Sequence, residues 1–180
     1  SWLEAFFIHE AALPNWPSIA RTFHLDDYKM KGDAVTIGVD ASPYRLGGWL
    51  SLNDKITAYF TDPISAMDEE TFTTASGRHE DQQLWEALAL LVALRLWLDD
   101  RCPKDSVGTR LQNKRIQLVL KGDNVGSLTL AVKLRPKGPK MALVSRELAL
   151  ILAQLSFAPK AIHTPGVAHV VADKLSRLQT

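Results

Sequence analysis

One stretch of the chain, residues 80–98, restricts the possible folds more than any other. It contains no glycine or proline, and the eight residues from Ala87 to Leu94 are all apolar. A helix at a protein surface has one apolar face, whereas apolar residues occupy nearly every side of this one. Such a helix needs partners on several sides, so we expect it to be buried against a sheet. The apolar run is too short to cross a bilayer, and no membrane partner is expected.

Glu86 lies inside this apolar stretch, between Trp85 and Ala87. A buried carboxylate is costly unless it is paired or bound to a metal ion. The next cation on the predicted helix is Arg95, nine residues further along and more than two turns away. The partner of Glu86 must therefore come from elsewhere in the fold.

Three strands are predicted before this helix. Apolar residues alternate with polar or small ones over residues 35–39 and end at Asp40, which is typical of a strand. Residues 46–52 and 55–60 follow as two more strands, joined by a tight turn. We interpret the three as an antiparallel meander.

Helices and strands alternate in the rest of the chain. A polar loop is predicted over residues 99–114 and a basic loop over residues 133–140. The pattern predicts strands at 115–120 and 158–163, and helices at 125–132, 141–155 and 167–178. The order β-β-β-α-β-α-α-β-α implies an α/β fold with a five-stranded mixed sheet and helices on both faces. We assign residues 34–180 to this domain and residues 1–33 to an N-terminal helical arm or connector.

Charge is distributed unevenly along the chain. Residues 1–105 carry 9 basic and 17 acidic side chains, whereas residues 106–180 carry 12 basic and 3 acidic ones. A basic half attracts polyanions, although a solvated surface explains the same residues equally well. Cys102 is the only cysteine, which excludes an intrachain disulfide. We therefore expect an intracellular, reducing compartment.

Four acidic residues are candidates for a metal site. They are Asp40 and Asp123 at the ends of predicted strands, Glu86 in the buried helix and Asp173 in the last helix. Open α/β sheets tend to bind ligands at strand ends, and Mg²⁺ prefers oxygen ligands. Without a metal the acids would repel one another, so we expect a partly protonated site. Taken singly, each acid is equally well explained as a turn residue, a surface acid or one member of an ion pair.

Four segments of the sequence carry a resemblance to a known family. They are VTIGVDASPYRLGGWL (35–50), LWEALALLVALRLW (84–97), LVLKGDN (118–124) and HTPGVAHVVADKLSR (163–177). Together they are similar to the ribonuclease H domain of retrotransposon reverse transcriptases, especially DIRS-like and related long-terminal-repeat elements. The similarity includes the order Asp, Glu, Asp, Asp on strand, helix, strand and helix.

The resemblance implies a ribonuclease H-like fold and a specific activity. The chain would be an endoribonuclease that hydrolyses the RNA strand of RNA/DNA hybrids by two-metal-ion catalysis, as part of a reverse transcriptase with a polymerase domain. Asp40, Glu86, Asp123 and Asp173 would bind two Mg²⁺ ions, for which Mn²⁺ could substitute. His163 would assist proton transfer or product release.

The same resemblance suggests residues that contact the hybrid. Gln82 and Gln83 stand where relatives often carry amides that face the minor groove, where 2′-hydroxyl groups are read. Basic side chains of the predicted loop would contact phosphates: Lys133, Arg135, Lys137 and Lys140. His169 stands where related elements usually carry asparagine, and we interpret it as a helix-start or surface residue without a metal or catalytic role.

Two other functions are compatible with the sequence. A ribonuclease H-like module without activity could bind a polymerase or another partner protein, although such modules usually lose one or more acids. A DNA nuclease or strand-transfer enzyme could use the same fold. However, transposases and integrases place a glutamate on a late helix, whereas Glu86 comes early. Proofreading exonucleases carry an acid two residues after the first aspartate, where this chain has Ser42.

Overall fold

The computed structural model describes residues 32–98, 116–154 and 159–178. Its five strands are β1 (Asp33–Ala41), β2 (Arg45–Leu52), β3 (Lys55–Pro63), β4 (Ile116–Gly122) and β5 (Lys160–His163). They form one sheet in the order β3-β2-β1-β4-β5. The first three strands pair as the predicted antiparallel meander, while β4 pairs parallel with both β1 and β5. The predicted five-stranded mixed sheet is confirmed.

Within the same residues the helices are α1 (Ala66–Phe72), α2 (Gln82–Leu98), α3 (Val125–Lys133), α4 (Pro139–Gln154) and α5 (Val170–Ser176). Short 3₁₀ turns at His79–Asp81 and Gly166–Ala168 precede α2 and α5. Both helices therefore begin two or three residues later than the sequence pattern indicates.

Helix α1 lies between β3 and α2, in a segment for which the sequence pattern predicts no helix or strand. Ser65 caps its first turn: the Ser65 hydroxyl accepts from the Asp68 backbone N–H at 3.2 Å, and the Asp68 carboxylate accepts from the Ser65 backbone N–H at 2.8 Å. This reciprocal capping box satisfies two backbone donors, which explains why a short helix forms here. The pair Ser65 and Asp68, three residues apart, is its signal in the sequence.

Helix α2 is buried, as the sequence predicts. It packs against β1 and β2 of the sheet and against α3 and α4. Trp85, Leu90 and Leu94 are completely buried within it. The apolar residues on nearly every side of the helix thus have partners on several sides.

Helix α5 packs on the face of the sheet opposite to α2. Phe60 and Thr61 are neighbours on β3: Phe60 meets Trp97 of α2 edge to face at 5.7 Å, whereas the Thr61 hydroxyl donates to the Leu175 carbonyl oxygen at 2.8 Å. Successive side chains of a strand point to opposite faces, so the two helices lie on opposite sides. Helices on both faces were predicted, and this part of the fold is also confirmed.

The sheet topology brings three predicted site residues to one edge. β1 and β4 are adjacent and parallel, so their carboxyl ends meet. Asp40 is the penultimate residue of β1, and Asp123 directly follows β4. His163 ends β5 and pairs in register with Gly122.

Two predicted segments lie outside the described residues. One is the loop over residues 99–114. The other is the helical arm over residues 1–33, except for its last two positions, of which Asp33 already belongs to β1. Among the described helices, none is both long and apolar enough to span a membrane.

A candidate metal centre

Three carboxylates converge at the carboxyl edge of the sheet. Asp40, Glu86 and Asp123 each bring one carboxylate oxygen into a group whose members all lie within 4.8 Å of one another. Asp40 and Glu86 are buried, whereas Asp123 is partly exposed. Three of the four predicted metal ligands are therefore brought together, with solvent access on the Asp123 side.

The fourth predicted ligand, Asp173, lies on α5 outside this group. Its Oδ1 accepts a hydrogen bond from Arg177 Nε at 2.6 Å, one helical turn further along. The charge of Asp173 nevertheless contributes to a raised pKa at Asp40. Asp173 is thus within electrostatic range of Asp40 but has a cation of its own.

The pKa of Asp40 is raised above its usual value, mainly because burial removes water from the carboxylate. Repulsion from Asp123 and Asp173 acts in the same direction. Ser176 opposes the shift most strongly, since its hydroxyl donates to Asp40 Oδ2 at 2.5 Å. Nearby His169 opposes it as well.

Glu86 is perturbed further, with its pKa raised to about 9. Burial is the largest cause, followed by repulsion from Asp40 and then Asp123. Gln82 Nε2 donates to Glu86 Oε1 at 3.2 Å, but Oε2 is buried without a hydrogen-bond partner among the described residues. The raised pKa values of Glu86 and Asp40 agree with the expectation of partial protonation.

These residues fit a hard divalent cation. Mg²⁺ and Mn²⁺ bind carboxylate oxygens, and Mg²⁺ commonly takes one or two carboxylates together with substrate phosphate. A cation here would give Glu86 Oε2 a partner and offset the repulsion from Asp40 and Asp123. The unpartnered oxygen and the acidic cluster together indicate a site built for a positive charge.

The two glutamines predicted to contact the hybrid lie at the start of α2 and have different surroundings. Gln82 Nε2 donates both to the Ala41 carbonyl oxygen and to Glu86 Oε1, so its amide links β1 to the carboxylate cluster. The amide of Gln83 lies directly over Gly126 of α3, where a Cβ would collide with it.

The predicted phosphate contacts divide into two groups. Three cations of the basic segment 133–137, which begins at the last residue of α3, are exposed: Lys133, Arg135 and Lys137. Lys140 is half-buried on the first turn of α4, and its Nζ lies 2.9 Å from Asp81 Oδ1. Asp81 also accepts a hydrogen bond from the Thr74 hydroxyl. Lys140 therefore already has a carboxylate partner within the protein.

The two histidines near the site form hydrogen bonds with main-chain carbonyl groups. His163 is exposed, and its Nε2 lies 2.9 Å from the Asp123 carbonyl oxygen. His169 is 4% exposed, and its Nε2 lies 2.7 Å from the Val39 carbonyl oxygen. The interpretation of His169 as a surface residue is wrong, because its ring is buried between α5 and β1. Its placement at the start of the helix is correct.

Two residues at the end of α5 were missed by the sequence analysis. Ser176 is fully buried against Asp40, and Arg177 is the partner of Asp173. Both lie within the segment HTPGVAHVVADKLSR, three and four residues after Asp173. Residues three and four positions apart on a helix lie on the same face. Their spacing from Asp173 is therefore the sequence signal that could have identified both residues.

Comparison with known proteins identifies the fold. No protein-family profile and no curated protein sequence matches the chain. The RNase H1 of Halobacterium salinarum is 16% identical with a TM-score of 0.53, over 79% of this chain and 92% of that one. An N-terminal RNase H domain from Mycobacterium tuberculosis is 13% identical with a TM-score of 0.56, over 79% and 90%. An RNase H1 isolated from compost is 15% identical with a TM-score of 0.53, over 81% and 93%. The chain has a ribonuclease H-like α/β fold.

Proposed function

We propose that this chain is an endoribonuclease that hydrolyses the RNA strand of RNA/DNA hybrids, with two Mg²⁺ ions as cofactors and Mn²⁺ as a substitute. One observation carries the proposal. Three carboxylates converge at the carboxyl edge of a ribonuclease H-like sheet, and the buried oxygen Oε2 of Glu86 has no partner there among the described residues. The similar structures are named as RNases H, which supports the same reaction class.

Asp40, Glu86 and Asp123 are the residues that would hold the ions. We assign Asp173, which Arg177 holds in this structure, to the second ion. When bound, two such ions polarise a scissile phosphate, lower the pKa of the attacking water and neutralise the leaving oxygen. Products with 5′-phosphate and 3′-hydroxyl ends are expected.

The side chains around the centre orient its ligands. Gln82 holds Glu86 Oε1, so Oε2 is the oxygen left to bind an ion or to accept a hydrogen bond from the attacking water. Burial of Asp40 and Glu86 gives the site a low local dielectric, in which interactions with developing charge are stronger than in water.

We assign proton transfer to His163. A carbonyl oxygen only accepts hydrogen bonds, so the 2.9 Å contact requires His163 Nε2 to carry a proton and donate to the Asp123 carbonyl oxygen. In the neutral ring Nδ1 is then the nitrogen with a free lone pair. The exposed ring can take up a proton at Nδ1 and release it to solvent, while its Nε2 hydrogen bond keeps it beside the metal centre.

The hybrid would be held mainly through its phosphates. The exposed Lys133, Arg135 and Lys137 lie on a segment free of acidic residues, which supports an electrostatic contact with the backbone. We assign the amides of Gln82, which contacts Glu86, and Gln83, which lies against Gly126, to contacts with 2′-hydroxyl groups. We further propose that the chain acts beside the polymerase domain of a retrotransposon reverse transcriptase, on the resemblance of its four sequence segments.

The decisive experiment is cleavage of a labelled RNA/DNA hybrid in Mg²⁺ or Mn²⁺, with duplex DNA, duplex RNA and single-stranded RNA as comparison substrates. We expect cleavage of the RNA strand of the hybrid alone. The paired variant Asp123→Asn should lose at least about 100-fold in rate, because one ligand of the centre loses its charge. Asp54→Asn is the matched control, since Asp54 is exposed in the β2–β3 turn at the opposite edge of the sheet.

Each of the other possible outcomes would support a different function. Cleavage of duplex DNA at a similar rate would indicate a broader nuclease. Tight hybrid binding without cleavage would indicate a binding module. Equal activity of Asp123→Asn and the unaltered chain would show that the three carboxylates are not the catalytic centre.

A further inference from the structure

Two buried polar contacts fasten α5 to the end of β1. At the start of α5, His169 Nε2 donates to the Val39 carbonyl oxygen at 2.7 Å. At its end, the Ser176 hydroxyl donates to Asp40 Oδ2 at 2.5 Å. The contacts lie four residues before and three residues after Asp173, so the turn of α5 that carries Asp173 is held between them.

The contact from Ser176 reaches a metal ligand directly. Ser176 is completely buried, and its Oγ also lies 2.9 Å from the Asp173 carbonyl oxygen. A hydroxyl has one hydrogen to donate, and the shorter distance has the length of a hydrogen bond to a carboxylate. Ser176 therefore fixes one oxygen of Asp40.

A glycine in β2 provides the space that this contact requires. Gly47 pairs with Asp40 in the sheet and faces the last turn of α5. A Cβ at residue 47 would lie 2.5 Å from the Ser176 backbone nitrogen and 2.8 Å from the Leu175 carbonyl carbon. Only a glycine leaves room for α5 to approach closely enough for the hydroxyl to reach Asp40.

Glu86 is held in a comparable way. Gln82 donates to Glu86 Oε1, as Ser176 donates to Asp40 Oδ2. Both donors are neutral, so each orients its carboxylate without supplying a positive charge that would compete with a metal ion. Partners of this kind are known to tune metal affinity at other centres.

We propose that Ser176 is a positioning residue of the metal centre: its hydroxyl fixes Asp40 Oδ2, leaves Oδ1 for the metal and ties Asp40 to the helix that carries Asp173. The proposal rests on the proposed function. It assigns a task to a residue outside the four acids, and it predicts that metal affinity depends on how closely α5 approaches β2.

The test is calorimetric titration of the full chain with Mn²⁺. Ser176→Ala should bind Mn²⁺ about 10-fold more weakly than the unaltered chain. Ser145→Ala, which alters a buried serine on α4, is the matched control and should bind normally. The KM of Ser176→Ala for the hybrid should be unchanged. Its cleavage rate should be low at limiting Mn²⁺ and recover as Mn²⁺ is raised, which a general loss of packing would not produce.

Gly47→Ala provides a second variant that keeps the Ser176 hydroxyl but pushes the end of α5 away. We expect it to weaken Mn²⁺ binding in the same direction, with folding checked by circular dichroism. Normal Mn²⁺ affinity in folded Ser176→Ala would overturn the inference while leaving the proposed function intact. An equal loss in Ser145→Ala would overturn it too. Absence of Mn²⁺ binding and of hybrid cleavage in the unaltered chain would overturn the proposed function and this inference with it.

Discussion

Asp81, in the 3₁₀ turn before α2, and Glu86, five residues later in α2, have surroundings that shift their pKa values in opposite directions. Asp81 accepts hydrogen bonds from Thr74 and Lys140, and its pKa is lowered, chiefly by the contact with Thr74. Glu86 is buried beside two other carboxylates, and its pKa is raised to about 9. The two carboxylates differ mainly in what surrounds them and hardly at all in chemistry.

This difference separates a structural acid from a functional one. The partners of Asp81 favour its charged form, so the charge stabilises the fold and joins the start of α2 to α4. Glu86 Oε2 has no partner among the described residues, so its charge is unfavourable until a cation arrives. Strong pKa shifts caused by burial and like charges are typical of functional sites. Substitutions of the two acids should therefore have opposite consequences.

The largest expected contrast is in catalysis. Glu86→Gln should reduce Mn²⁺-dependent cleavage of an RNA/DNA hybrid by at least about 100-fold, because it removes one charged ligand from the centre. Asp81→Asn should change the rate less than about 3-fold at saturating substrate, since Asp81 does not belong to the cluster. Single-turnover rates compare the two directly. Equal losses in both variants would contradict the distinction.

The next contrast is in stability without metal. Glu86 binds its proton more tightly in the folded chain than in the unfolded one, so between pH 4.5 and about 9 the folded state holds more protons. The free energy of unfolding should therefore fall as pH rises through this range. Glu86→Gln should remove the part of this slope that Glu86 contributes and raise the free energy of unfolding at pH 8 by on the order of 1–3 kcal/mol.

The contribution of Asp81 to the free energy of unfolding should change with pH in the opposite direction. Its pKa is lowered in the folded chain, so its contribution is present above pH 3.8 and is lost as pH falls below that value. Asp81→Asn should lower the free energy of unfolding by about 1 kcal/mol at pH 7. Urea unfolding in EDTA, followed by tryptophan fluorescence from pH 3 to 9, measures both variants. A stabilised Asp81→Asn or a destabilised Glu86→Gln at pH 8 would refute the comparison.

The smallest contrast concerns the cations of the basic segment. Lys133→Ala, Arg135→Ala and Lys137→Ala should each reduce the slope of log K against log salt for hybrid binding by up to about 0.9, the value for one phosphate contact. Lys140→Ala should change the slope much less, because Asp81 already pairs with Lys140. Fluorescence anisotropy over a salt series in Ca²⁺ or EDTA gives these slopes. A full change for Lys140 alone would show that its ion pair opens on binding.

The strands and the buried helix could be predicted because they depend on patterns close together in the sequence. Alternating apolar residues and a helix that is apolar on nearly every side leave few arrangements other than a helix covering a sheet. Helix α1 was missed because its cap, Ser65 with Asp68, lies in a segment with little apolar periodicity. The 3₁₀ turns before α2 and α5 continue the helical pattern, so the predicted helices begin too early.

The carboxylates of the site were predictable, but their partners were not. Glu86 stood out because a carboxylate in an apolar helix requires an explanation. By contrast, the hydrogen bond from Ser176 to Asp40 spans 136 residues, and the one from His169 to Val39 spans 130. Such contacts depend on how α5 docks on the sheet, and the local sequence pattern does not predict that docking. The ion pair of Lys140 with Asp81 was not predictable either, because it joins two segments that are 59 residues apart in the sequence.

The most direct test of the account is a crystal structure of the chain with Mn²⁺, measured at the manganese absorption edge. We predict anomalous density between the carboxylates of Asp40, Glu86 and Asp123, with a second peak next to Asp40 on the side of Asp173. Anomalous density elsewhere, or none at the three carboxylates at millimolar Mn²⁺, would contradict the assignment of this cluster as the catalytic metal centre.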